Sequence, residues 1–311
     1  MISLRYHVVS VAAVFLALAV GVVLGSTAIS GRLLSGLTDD NSALGRELAA
    51  SQEERNALDA RLAGADRFAG AVGPLAVAGR LTDRTVVLVT TADADPDDRD
   101  ALAELLRSAG AVVTGEVQLT EAFADPDKAD QLLNVVARMQ PAGTQLPTAA
   151  DPGTRAGALL GAVLLTGEGG KPQAGEAEAA AALGALAGAG FVKQGQAVRP
   201  AQLAVVLTGG AVDGDSAGDR AAVVARFATQ LDRSGGGAVL AGGTGSADGT
   251  GAVGVVRADT AATSVLSTVD NLDTAAGRVV AVLALREQLD GQAGRYGVAG
   301  NAAGVAPGAV G

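Results

Sequence analysis

The sequence predicts an α/β protein with an N-terminal transmembrane helix and a coiled coil, followed by a doubly wound, mostly parallel sheet domain. Three observations carry this prediction. No charged side chain lies between Arg5 and Arg32, leucines then recur at heptad spacing, and apolar strand-like runs alternate with helical patterns after residue 80. The expected regions are an anchor over 1–31, a coiled coil over 32–70, an α/β domain over 81–290 and a disordered tail over 291–311.

The N-terminal segment is long and apolar enough to cross a bilayer. About 20 apolar residues span the hydrocarbon core, and residues 8–24 are almost wholly apolar. Arg5 precedes this stretch and Asp39 and Glu47 follow it, which favours a cytoplasmic N-terminus and an extracytoplasmic remainder. A signal peptide cleaved after Ala28 is the alternative, although its apolar region would be unusually long. The anchor residues are Val8, Phe15, Leu16, Leu18, Val22 and Leu24.

Beyond the anchor, apolar residues follow steps of three and four with charges between them. This heptad pattern indicates a juxtamembrane coiled coil, and hence a homo-oligomer. An amphipathic helix that packs on its own domain is the alternative. The sequence 70–74, with two glycines and a proline, is expected to end the helix. The predicted seam consists of Leu34, Leu37, Leu44, Leu48, Leu58 and Leu62.

Strand and helix signals alternate in the rest of the chain. Continuous β-branched and apolar runs at 85–90 and 203–208 are typical of strands buried on both faces of a parallel sheet. Further strands are expected at 111–117, 238–241 and 253–256. Helices are expected within 93–110 and at about 127–139, 154–165, 175–187, 219–234 and 274–289.

Composition excludes several classes of function. The net charge of −10 argues against a nucleic-acid partner. The chain has no cysteine, and its one histidine, His7, lies at the inner end of the membrane segment. No Ser-His-Asp or Cys-His system can therefore exist in the outer domain. We predict no enzyme activity and no catalytic, cofactor-binding or metal-binding residues.

Two glycine- or aspartate-rich motifs receive structural interpretations. The sequence 249–254 matches G-x-G-x-x-G but is expected to lead into a strand, whereas a dinucleotide site needs a strand before it and a helix after it. Asp93, Asp95 and Asp97, with Glu104, have the spacing of a calcium loop but lack its glycine. We interpret this acidic turn as the N-cap of the following helix.

Four segments resemble the actinobacterial MctB family. They read MISLRYHVVS, AVFLALA and GVVLGS at the N-terminus and VDNLDTAAGR at 269–278. The resemblance covers essentially the whole chain. It implies a pore-forming copper transport protein of the outer envelope, with the copper ion as the transported species. It also implies kinship with SteB proteins, membrane-anchored partners in cell separation that act with SteA to regulate a peptidoglycan hydrolase.

The residues support these two descriptions unequally. Copper(I) prefers thiolate and thioether ligands and copper(II) imidazole, and the chain offers Met1, His7 and Met139. Met139 is expected to fill a core position. The main hypothesis is therefore a non-catalytic, membrane-anchored envelope protein that acts through contacts with a cell-separation or other envelope partner. The alternative is copper efflux through a pore. The expected location is the cell membrane, with the outer envelope as the family-based alternative.

Overall fold

The computed structural model describes residues 4–148, 151–193 and 197–308, and it describes the side chains in these ranges except at 27–42 and 168. The chain divides into two compact units, Met1–Gly64 and Ala65–Gly311. The first unit is helical. The second contains a sheet covered by helices on both faces, which confirms the predicted fold class.

Helix α1 spans Leu4–Val77. The break expected at 70–74 does not occur, because one proline removes a single helical hydrogen bond and Gly73 and Val77 on the same turns are buried. The helix ends instead just before Gly79, whose φ of 72° is the left-handed conformation that closes many helices. The sequence signal for the helix end was therefore this glycine rather than Pro74.

All strand pairs in the described part of the chain are parallel, in the order β2-β1-β3-β4-β5-β6. The strands are β1 Thr85–Thr90, β2 Val112–Gln118, β3 Leu203–Thr208, β4 Ala238–Gly242, β5 Ser267–Val269 and β6 Arg295–Tyr296. The helices after α1 are α2 Pro96–Ser108, α3 Glu121–Ala124, α4 Ala129–Arg138, α5 Pro152–Leu164, α6 Glu176–Gly188, α7 Ala217–Asp232, α8 Ala252–Ala258, α9 Thr260–Thr263 and α10 Ala275–Gln288.

Two apolar cores flank the sheet because successive side chains of a strand point to opposite faces. In β3, Val205 packs with the end of α1, α2 and α10, whereas Val206 packs with α4 to α8. Every residue of β3 is buried. This two-sided burial explains why β1 and β3 read as continuous apolar runs in the sequence.

The strand predicted at 253–256 is wrong, since these residues lie in α8. A run of four apolar residues fits a buried helix as well as a strand. Val253 and Val256 are both buried, three residues apart, which places them on one face of the helix. The fifth strand is β5, whose sequence Ser-Thr-Val is too short and too polar to show a pattern.

The sequence predicted disorder over 291–311. The structure corrects this prediction for the residues up to 308, which it describes as ordered. Strand β6 lies in this segment and pairs with β5. Its Tyr296 is buried against the core that includes α2 and α10. Glycine and alanine dominate the local sequence, so its order depends on contacts with distant residues, chiefly Arg257 and Asp270.

Candidate functional site

The N-terminal part of α1 is the described segment that could cross a membrane. Leu4–Ser26 contains 23 residues, an 18-residue window of it reaches a mean hydropathy of 2.7, and none of that window is buried. A core helix of a soluble protein would be buried, so its exposure favours a segment that meets lipid. The helix is compatible with a single-pass anchor. The predicted anchor residues Val8, Phe15, Leu16, Leu18, Val22 and Leu24 are 62–69% exposed.

The described seam residues are also exposed. Leu44, Leu48, Leu58 and Leu62 have exposed fractions of 67%, 74%, 47% and 68%. The side chains of Leu34 and Leu37 lie outside the described residues. Exposed leucines at heptad spacing are what a helical partner would cover, and the coiled coil itself stays a prediction.

Within the second unit, the two faces of α1 differ in what they contact. The Asp66 carboxylate accepts a hydrogen bond of 2.7 Å from the Ala275 backbone nitrogen at the start of α10. Gly73 lies so close to Val279 that an added Cβ would meet its Cγ2 at 2.8 Å. Phe68 and Leu75, about half a turn away from this face, are 70% and 78% exposed. The heptad analysis missed these two residues because they flank the seam rather than lie on it.

The motif at 269–278 holds the C-terminal segment in place. Asp270 and Arg257 form a salt bridge of 2.6 Å, and both side chains are 1% exposed. Arg257 also donates to the Tyr296 carbonyl and to Asn301 Oδ1, and Asp270 accepts from the Val298 backbone nitrogen. A buried pair with this many hydrogen bonds fixes the chain that contributes them. This pair could not be predicted from the sequence, since Arg257 lies outside the motif.

The rest of the motif fixes the start of α10. Thr274 caps the helix by accepting from the Gly277 nitrogen, and Arg278 pairs with Asp98 at 2.7 Å. Burial raises the pKa of the Asp98 carboxyl, and the positive charge of Arg278 opposes that rise. An added Cβ at Gly277 would lie 1.9 Å from the Asn271 carbonyl oxygen, so a larger residue cannot fit there. These contacts assign the motif a structural role.

A crevice opens where β1 and β3 lie side by side. The chain leaves β1 for β2 on one side and returns to β3 on the other, and ligands of such sheets bind beyond the carboxyl ends of the strands at this switch point. The cavity here has a volume of about 350 Å³. Its lining comprises Thr91, Ala92, Asp93, Leu119, Thr120, Glu121, Phe123, Ala124, Thr208, Ala211, Val212, Asp213, Arg220, Ala221, Val224 and Ala252.

The acidic turn after β1 has two structural roles. Asp95 caps α2 by accepting from the Asp97 nitrogen at 2.8 Å, which confirms the N-cap interpretation. Asp93 joins the ends of β1 and β3, because its carboxylate accepts from Thr91 Oγ1 at 2.5 Å and from the Gly209 nitrogen at 3.0 Å. The crevice was not predicted from the sequence, because it depends on the strand order.

Soft copper ligands are scarce in the chain. It contains no cysteine, one histidine and two methionines. Met139 is half-buried and packs against the core formed with α4 to α8, in agreement with the expected core role. The described residues contain no group of three or more His, Cys, Asp or Glu side chains that could hold a metal ion.

The comparisons with known proteins agree on one family. The sequence model for "Copper transport outer membrane protein, MctB" matches residues 1–307. A protein of Mycobacterium tuberculosis named copper transporter MctB is 41% identical over 303 residues, which cover 96% of both chains. The protein of the same name from Mycobacterium leprae is 40% identical over 307 residues, again 96% of both chains.

Proposed function

The chain belongs to the MctB family, and we propose that it takes part in copper transport across the cell envelope as a membrane-anchored protein. The observation that carries the proposal is a match along nearly the entire chain to relatives named copper transporters. The exposed apolar helix at Leu4–Ser26 supports the membrane attachment. The outer-envelope location in the family description is the alternative to the cell membrane.

We propose that the N-terminus faces the cytoplasm and that the sheet domain lies outside it. Arg5 before the helix and the acidic residues soon after it support this orientation. N-terminal sequencing of the mature protein tests whether the helix is retained. Sequence that begins at Met1 or Ile2 is expected, and sequence that begins at Ile29 would show a cleaved signal peptide instead.

The contribution of the chain to copper transport is proposed to be assembly rather than tight copper binding in its outer domain. A selective copper(I) site needs several thiolate or thioether ligands that converge, and Met139 is the only such residue after the anchor. The exposed leucines of α1 offer a surface for a helical partner or a second copy. Transport would then depend on the complex that these chains form.

Cellular copper content tests the copper role. Cells that lack the chain are expected to accumulate more copper and to tolerate less of it in the medium, and expression of the wild-type chain is expected to restore both. The seam variant Leu58→Asp places a charge among the leucines and should restore copper content and copper tolerance less fully than the wild-type chain does. The matched control Glu54→Gln, an exposed change on the same helix, should restore both more fully than Leu58→Asp. Unchanged copper content without the chain would refute the proposed function.

A second candidate is a non-catalytic role in cell separation through a protein partner. The exposed seam leucines Leu58 and Leu62 favour it, since monomeric soluble proteins rarely leave large apolar patches in water. Cells that lack this protein would then stay attached to one another after division, at normal copper levels. Normal separation together with altered copper content would exclude this candidate.

A further inference from the structure

The crevice beyond β1 and β3 has one apolar wall that is held rigidly. Leu119 and Phe123 are buried to 1% and 2% exposure, and both line the cavity with Val224. The ring of Phe123 packs edge-to-face against Phe227, with ring centroids 5.2 Å apart. A wall of this kind accepts a small apolar group. The volume of about 350 Å³ is near the lower end of ligand sites.

Arg220 brings to the same cavity a guanidinium whose donors are only partly used. It lies in the first turn of α7 and donates through Nη2 to the Asp213 carbonyl at 2.5 Å. Its Nε is buried and has no hydrogen-bond partner among the described residues. Arg220 also forms no ion pair with any side chain that the structure describes. No side chain in the described residues accepts a hydrogen bond from the guanidinium of Arg220, and a guanidinium is suited to pair with a carboxylate.

Acidic side chains also line the crevice. Glu121 and Asp213 are exposed, and within the described part of the chain neither forms an ion pair. Asp93 is a third carboxylate, already bonded to the ends of β1 and β3. Three carboxylates and one arginine in the lining of a single cavity disfavour a polyanion such as a nucleotide phosphate. They favour a ligand that carries a positive group together with its anionic group.

We propose that this crevice binds a small amino-acid zwitterion with an apolar side chain. The ligand carboxylate pairs with the guanidinium of Arg220. The ligand ammonium lies toward Glu121 and Asp213. The side chain of the ligand packs on the wall formed by Phe123 and Val224. This site is separate from α1 and from the copper role.

A matched set of ligands tests each half of the zwitterion. The full-length chain in mild detergent is titrated by calorimetry with L-valine, with isovalerate, which lacks the ammonium, and with isobutylamine, which lacks the carboxylate. L-valine is expected to bind saturably, and each of the other two at least about tenfold more weakly. No saturable binding of L-valine at millimolar concentration would overturn the proposal, as would isovalerate binding equal to that of L-valine.

Two variants assign the binding to the crevice. Arg220→Gln is expected to weaken L-valine binding at least about tenfold. Arg226→Gln, an exposed change on the same helix, is expected to leave it unaltered. Binding that survives in a folded Arg220→Gln protein would overturn the assignment. Where Arg220→Gln does not fold, Glu121→Gln serves instead, and unaltered binding in that variant would likewise overturn it.

Discussion

The buried carboxyl of Asp232 makes the stability of the sheet domain depend on pH. Asp232 ends α7, is 8% exposed, and accepts a hydrogen bond of 2.7 Å from the Ala238 nitrogen at the start of β4. Burial raises the pKa of this carboxyl from its ordinary value of 3.8 to about 7, against the opposing effects of the Ala238 hydrogen bond and the charge of Arg233. Between about pH 4 and pH 7, the folded protein therefore holds a proton on Asp232 that the unfolded chain has released.

The sign and size of the effect follow from this pKa difference. The stabilisation from the bound proton is complete below pH 4, decreases between about pH 4 and pH 7, and is absent above. A rise of about three pKa units corresponds to about 4 kcal/mol. Asp232→Asn keeps an acceptor oxygen for Ala238 and carries no charge. It should match the wild type near pH 4 and be more stable by up to about 4 kcal/mol at pH 8.

Urea denaturation of the full-length chain in mild detergent, followed by circular dichroism, measures this difference at both pH values. Asp219→Asn is the matched control, because Asp219 lies at the other end of α7 and is exposed. The control should keep the pH dependence of the wild type. An Asp232→Asn protein with that same pH dependence would show that Asp232 is not the group responsible.

Two further predictions concern the ion pair and the seam. Asp270→Asn leaves the buried charge of Arg257 without its partner and should lower the free energy of unfolding by about 3–5 kcal/mol. The control Asp290→Asn breaks an exposed ion pair and should lower it by at most about 1 kcal/mol. Equal losses of the two variants in urea denaturation would contradict the structural role of the buried pair. Leu48→Asp combined with Leu58→Asp should abolish self-association of the detergent-solubilised chain in sedimentation, and an unaltered oligomer would show that these leucines do not form the seam.

The parts of the fold that the sequence predicted are those whose signal is local. Strands β1 and β3 are buried on both faces, so their composition alone identifies them. Strand β5 has three residues and β6 has two, and each is defined by its neighbour in the sheet rather than by its own sequence. The run 253–256 forms a helix, because short apolar runs carry no information on period.

The candidate sites also differ in whether a local sequence signal predicts them. The anchor residues follow from hydropathy and length. The crevice is lined by both Arg220 and Asp93, and this depends on β1 and β3 being neighbours, which the strand order determines. Arg257 lies in α8 and Asp270 directly follows β5, 13 residues later, so their pairing had no sequence signal.

Copper(I) titration of the full-length chain in competition with a chromophoric chelator is the most direct measurement of the central claim, that the chain supports copper transport without a tight copper site in its outer domain. Met139 is the only methionine, histidine or cysteine after the anchor. We therefore predict that Met139→Leu leaves the copper affinity of the chain unaltered and restores normal copper content to cells that lack the wild-type chain. A stoichiometric site of micromolar or tighter affinity that is lost in Met139→Leu would contradict the claim.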